Sequence, residues 1–139
     1  MPELRLLPDV ESLLVGYLKA DAGITALVDQ RVSTELPASF APEGRVQLFR
    51  TGGVPDDDDI PGHLDRPSIQ VNAYGETKAE AYDVAAETIR ALLQAPAATH
   101  TGAVITKATR VLGPTWSPDP DTDTPRYLLG FTFAVHAAA

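Results

Sequence analysis

Two short stretches carry enough acid to suggest chemistry. The first is GGVPDDDDIPGHLDRPS, residues 52–68, where Asp56, Asp57, Asp58 and Asp59 are followed by His63 and Asp65. The second is PTWSPDPDTDT, residues 114–124, with Asp119, Asp121 and Asp123 at alternate positions. Alternating aspartates suit a calcium loop, which needs oxygen ligands at positions 1, 3 and 5, glycine at 6 and a bidentate glutamate at 12. A loop starting at Asp57 places Pro61 at position 5 and Ser68 at position 12, so it fails. A loop starting at Asp119 fills positions 1, 3 and 5 but has Thr124 at 6 and Gly130 at 12, so it lacks both the sharp turn and the closing ligand. His63 with Asp65 offers two ligands for a transition metal, and no third is identifiable. His63, His100 and His136 lie on a loop, a loop and a strand end, with no helical i, i+4 pair.

Other catalytic arrangements are missing from the sequence. There is no cysteine, which excludes thiolate nucleophiles, thiolate zinc sites and disulfides. No G-x-S-x-G elbow occurs, and the TGG at residues 51–53 is not followed by the G-K-[ST] of a phosphate loop. Carboxylates that share acid–base work need environments that separate their pKa values. Four adjacent aspartates in one Pro- and Gly-rich loop share a single wet environment. The acidic runs therefore read as solvated loops, with no catalytic, cofactor or metal residues assigned.

The elements that hold these loops follow from hydrophobic spacing. Asp9 reads as an N-cap before Val10, Leu13, Leu14, Tyr17 and Leu18, one face of a helix that fades by Ala20–Gly23. ITALVD adds at most a turn of helix before a strand in RVSTELP. RVQLFRT, residues 45–51, alternates as a strand. PSIQVNAY, residues 67–74, puts Ile69, Val71 and Ala73 on one face and Gln70, Asn72 and Tyr74 on the other. Thr77 and Glu80 form a capping box for a helix of about 19 residues ended by Pro96. Its inward face is read as Ala79, Tyr82, Ala86, Ile89 and Leu93, with Ala85 and Leu92 alongside. GAVITKATRVLG and PRYLLGFTFAVHA are the last two strands, the latter with Tyr127, Leu129, Phe131, Phe133 and Val135 on one face.

The expected class is α+β, in the order α-β-β-β-α-β-β. It is a mainly antiparallel sheet of four to five strands with two helices packed on one face, one domain spanning residues 1–139. Twenty of the 139 residues are alanine, which favours close helix–sheet approach.

Charge narrows the function. The formal net charge is −8, with 11 Lys and Arg against 19 Asp and Glu. A nucleic-acid binder carries a basic stripe that neutralises phosphates, and here the cations are scattered. No window approaches the roughly 18 apolar residues of a membrane span. MPELRLLPDVESLL meets Asp9 and Glu11 before any apolar run reaches the length of a leader.

The whole chain, from about residue 5 to 136, resembles the tail terminator, or tail completion, proteins of long-tailed bacteriophages. The likeness lies in the order of DVESLLVGYL, LVDQRV, QLFRTGG, LDRPSIQVNAYG, AEAYDVAAETIRALL, a proline-rich flap and RYLLGFTFAV. It implies a structural virion protein with no enzymatic activity and no cofactor, assembled in the host cytoplasm and located at the head–tail junction. Copies would form a ring, expected to be a hexamer, on the finished tail tube. The ring would stop tube growth and offer a joining surface to the head. Its partners would be other copies of itself, the major tail tube protein and head–tail connector proteins. Genomic DNA would pass through without specific binding, and no membrane is involved.

On this reading Asp56–Asp59, Asp119, Asp121 and Asp123 form acidic flaps facing the lumen or a partner. His63, Asp65, Arg66 and Trp116 lie at an interface, although Trp116 could equally anchor its flap on its own sheet. The alternatives are another neck protein (a connector or stopper), a metal-dependent enzyme using the acidic loop, and a monomeric module gripping a basic protein.

Overall fold

The computed structural model describes residues 8–38, 42–56 and 64–138. Helix α1 (Val10–Lys19) starts where the Asp9 carboxylate accepts the Ser12 N–H at 3.2 Å, and α2 (Ala22–Val28) starts where Asp21 accepts the Ile24 N–H at 3.0 Å. Strands β1 (Val32–Ser33), β2 (Arg45–Asp56) and β3 (Leu64–Tyr74) follow, then α3 (Lys78–Leu93) and a 3₁₀ turn at Ala95–Ala97. Strands β4 (Ala103–Trp116) and β5 (Arg126–Ala137) end the described chain. The five strands form one sheet in the order β1-β2-β3-β5-β4.

The α+β class agrees with the sequence reading, with two corrections. Among the described residues there are three α-helices, because Ile24–Val28 of ITALVD lie in a capped helix of seven residues. The sheet is mixed, because β1 pairs parallel with β2 while the other three pairings are antiparallel. Only Val32 and Ser33 of the expected strand RVSTELP join the sheet. They are fixed by long-range bonds: the Val46 N–H donates to the Arg31 carbonyl at 2.9 Å, and Arg31 Nε donates to the Gly44 carbonyl at 2.7 Å.

One face of the sheet is covered by the helices. Val46 and Leu48 of β2, Ile69, Val71 and Ala73 of β3, and Leu129 and Phe131 of β5 are buried there against Leu14, Leu18, Ile24, Val28, Val84 and Leu92. Direct cross-strand pairs such as Leu48–Val71–Leu129 put these side chains in register. The expected faces of β3 and β5 are correct for these residues. Tyr74, on the opposite face of β3, is also fully buried.

Helix α3 is capped as expected, with Thr77 Oγ1 accepting the Glu80 N–H at 3.1 Å and the Glu80 carboxylate accepting the Glu76 N–H at 3.1 Å. Its inward face is a correction. Ala81, Val84, Ala85, Thr88, Ala91 and Leu92 are buried, whereas Ala79, Tyr82, Ala86 and Leu93 are exposed. Small alanines let the helix lie close to the sheet. Thr88 can be buried because its hydroxyl donates to the Val84 carbonyl at 2.7 Å, which satisfies it within the helix. Tyr82, too bulky for that gap, packs at the flank. At the other end of the sheet β2 bulges between Arg50 and Gly52, and next to the bulge Gly53 takes φ +107°; a Cβ there would lie 2.2 Å from the Arg66 carbonyl oxygen.

Candidate assembly surface

The sheet brings the sequence-derived residues to three separate places. Asp56 ends β2 opposite Leu64, and Asp57, Asp58, Asp59 and His63 lie outside the described residues. Asp65 has the same strand parity as Ile69, Val71 and Ala73, so it turns inward and is only 1% exposed. Arg50 reaches it across the hairpin with two hydrogen bonds, Nη1 to Oδ2 at 2.6 Å and Nη2 to Oδ1 at 2.9 Å. That fork is a bidentate charge-assisted pair within the subunit. The hydrogen bond to Asp65 holds the Arg50 pKa above its ordinary value. Asp65 thus serves β2–β3 pairing, while its neighbour Arg66 points outward and is exposed.

The second acidic stretch separates by burial. Asp119 is 9% exposed, and its Oδ1 accepts the N–H groups of Asp121 at 2.9 Å and Thr122 at 3.0 Å. Arg126 lies 3.8 Å from Oδ2. Burial pushes the Asp119 carboxyl up, but the Thr122 and Asp121 N–H groups and Arg126 outweigh it and hold the pKa below the ordinary value. Asp119 therefore closes a turn, while Asp121 and Asp123 stay exposed. The turn lies near the buried Tyr74, whose phenol is raised by burial first, against the opposing effect of Arg126. Among the described residues no group of three or more His, Asp or Glu is placed to hold a metal ion.

Trp116, at the end of β4, is anchored on its own sheet. Its ring packs on Tyr127 with centroids 5.3 Å apart, and Tyr127 meets Tyr82 of α3 edge-on at 5.6 Å. Lys78 Nζ sits 4.7 Å from the Trp116 ring centroid, a cation–π contact. Even so, Trp116 is 40% exposed and Tyr82 50%. The aromatic row is not legible in the sequence, where the helical spacing puts Tyr82 on the inward face. Val111 and Leu112 of β4 add exposed apolar surface nearby in the chain. Exposed large apolar groups are thus concentrated on one edge strand, which makes it the candidate assembly surface.

A cleft of about 680 Å³ lies between α1 and residues 99–102, lined by Leu13, Gly16, Tyr17 and His100 among others. Tyr17 donates to the Ala91 carbonyl at 2.7 Å, and His100 Nε2 lies 2.8 Å from the Ala95 carbonyl oxygen. Both polar groups are already used for packing.

The model of the family described as tail completion protein gp17 matches residues 12–136. The chain belongs to that family. It is a structural component of the virion tail. Among solved structures, one chain from the virion of a native gene transfer agent particle has the same fold. It is 20% identical, with a TM-score of 0.74 over 93% of this chain and 95% of that one. Among curated proteins none matches. No helix formed by the described residues is long and apolar enough to cross a membrane.

Proposed function

We propose that this single-domain protein forms a ring, of six copies, on the head-proximal end of the completed tail tube. The ring ends tube growth and offers its upper face to the head–tail connector. One observation carries this reading: a fold of the tail completion family leaves apolar groups on an edge strand, Val104, Val111, Leu112 and Trp116, each at least 39% exposed. Open strand edges with apolar side chains call for a protein neighbour. The net charge of −8 suits a channel that DNA must traverse without being held. On this reading Asp121 and Asp123 face the lumen or a partner, while Arg66 and Trp116 meet neighbouring subunits. The protein needs no cofactor and catalyses no reaction.

The test is to add the purified protein to polymerising tail tube protein and measure tube lengths by electron microscopy. Growth is expected to stop at substoichiometric amounts, with each stopped tube capped at one end. Tubes that keep growing at saturating protein would overturn the proposal.

A further inference from the structure

The charges are segregated along the sheet. Strands β4 and β5, residues 103–116 and 126–137, contain no Asp or Glu and carry Lys107, Arg110 and Arg126. Arg126 is engaged by Asp119 and by the Ser117 carbonyl. Lys107 and Arg110 are exposed, and among the described residues neither forms an ion pair. Around the opposite edge strand, residues 29–43 carry Asp29, Glu35 and Glu43 against only Arg31. Glu43 has work within the subunit, where it holds Arg31 and Arg45. Asp29 and Glu35 are left exposed on either side of β1.

The two edges also match in direction. From the pairings, β1 and β2 run one way, β3 the other, β5 with β2, and β4 against them. Successive copies turned about an axis along the strands therefore bring β4 beside the next β1 in antiparallel sense. Such a head-to-tail contact closes into a ring when the rotation between copies is a whole fraction of a turn. Strand β4 is broken by three register shifts and bears Lys107, features that discourage unlimited strand addition. Its contact is thus made by side chains rather than by a continuous ladder.

We infer that the outer edge of β4 docks on the β1 edge of a second copy of this chain. Lys107 and Arg110 face the carboxylates of Asp29 and Glu35, and Val104, Val111 and Leu112 supply the apolar contact. This rests on the ring reading above. It adds which two surfaces meet and the charge complementarity that selects them.

The cysteine-free chain allows a direct test. Arg110→Cys and Glu35→Cys variants, both at exposed positions, are mixed, bound to tail tubes and treated with a short bis-maleimide. Cross-linked dimers are expected to combine the two variants, at least tenfold over dimers of either variant alone, and the double-cysteine chain should give a ladder ending in a closed ring. In parallel, K107E/R110E should lower occupancy of tube ends at least tenfold, and D29K/E35K should restore it. Rings visible on tube ends without mixed cross-links, or Arg110→Cys captured by the tube protein, would overturn this docking and leave the ring intact. The absence of any ring on tube ends would overturn both readings.

Discussion

The Arg50–Asp65 fork should be asymmetric in energy. The Asp65 side chain is 1% exposed and that of Arg50 32%. Arg50→Ala leaves a buried carboxylate without its cation, which costs about 3–5 kcal/mol. Asp65→Ala leaves a guanidinium that water already reaches and that keeps its Nε bond to the Gly52 carbonyl at 2.8 Å. That loss is about 1–2 kcal/mol. Replacing both, as in R50M/D65L, removes the stranded charge and should cost less than Arg50→Ala alone. Urea unfolding followed by far-ultraviolet circular dichroism reads all three. For a domain of this size the Arg50→Ala midpoint should fall by roughly 2 M. If Asp65→Ala proved as costly as Arg50→Ala, or the double variant cost the sum of the two, the pair would not be the buried fork that closes β2 on β3.

Other expectations follow from the same contacts. Asp21 is held below the ordinary carboxylate value: burial raises it, but Arg90 and the Ile24 N–H outweigh that, and Asp119 is lowered in the same way. Lowered folded-state values mean that both groups contribute stability in full above the ordinary value of 3.8. That contribution disappears as pH falls below it. Urea midpoints measured from pH 6 to pH 2 should therefore decline more steeply for the wild type than for D21N/D119N. Gly75→Ala places a Cβ 2.3 Å from the Ala81 backbone nitrogen where β3 enters α3. It should cost more than about 2 kcal/mol or prevent folding, as seen by a lowered thermal midpoint. Trp116 is the only tryptophan and is half-exposed, so its emission should move to shorter wavelength when tail tubes cover it. Unchanged emission on bound protein would remove Trp116 from the interface.

What the sequence disclosed depended on how local each determinant was. Alternation in 67–74 and 125–137 and the Thr77–Glu80 cap are set within a few residues, and all reappear in the structure. The parallel pairing of β1 is not local: it is fixed by the Arg31 and Val46 bonds across more than ten residues, which no period in RVSTELP reveals. The rotation of α3 was hidden because Thr88 looks polar in the sequence and Tyr82 looks apolar, while internal bonding and limited space reverse their places. Asp65 was readable in principle. Extending the parity of Ile69, Val71 and Ala73 back by two pairs points it into the core, and an inward acid requires a partner. Arg50, fifteen residues away, becomes that partner only through the hairpin register. Asp119 likewise carries a turn signal in Asp-Pro-Asp-Thr, which coincides with the alternate spacing of a calcium loop.

The central claim is that copies of this chain cap the tube. Cryo-electron microscopy of purified tails tests it most directly, by averaging the head-proximal end without imposed symmetry. The account predicts one sixfold ring of this fold seated on the last tube layer, with the β4 edge of each copy against the next. Density for this chain along the tube wall, or tube ends that lack it while still joining heads, would contradict it.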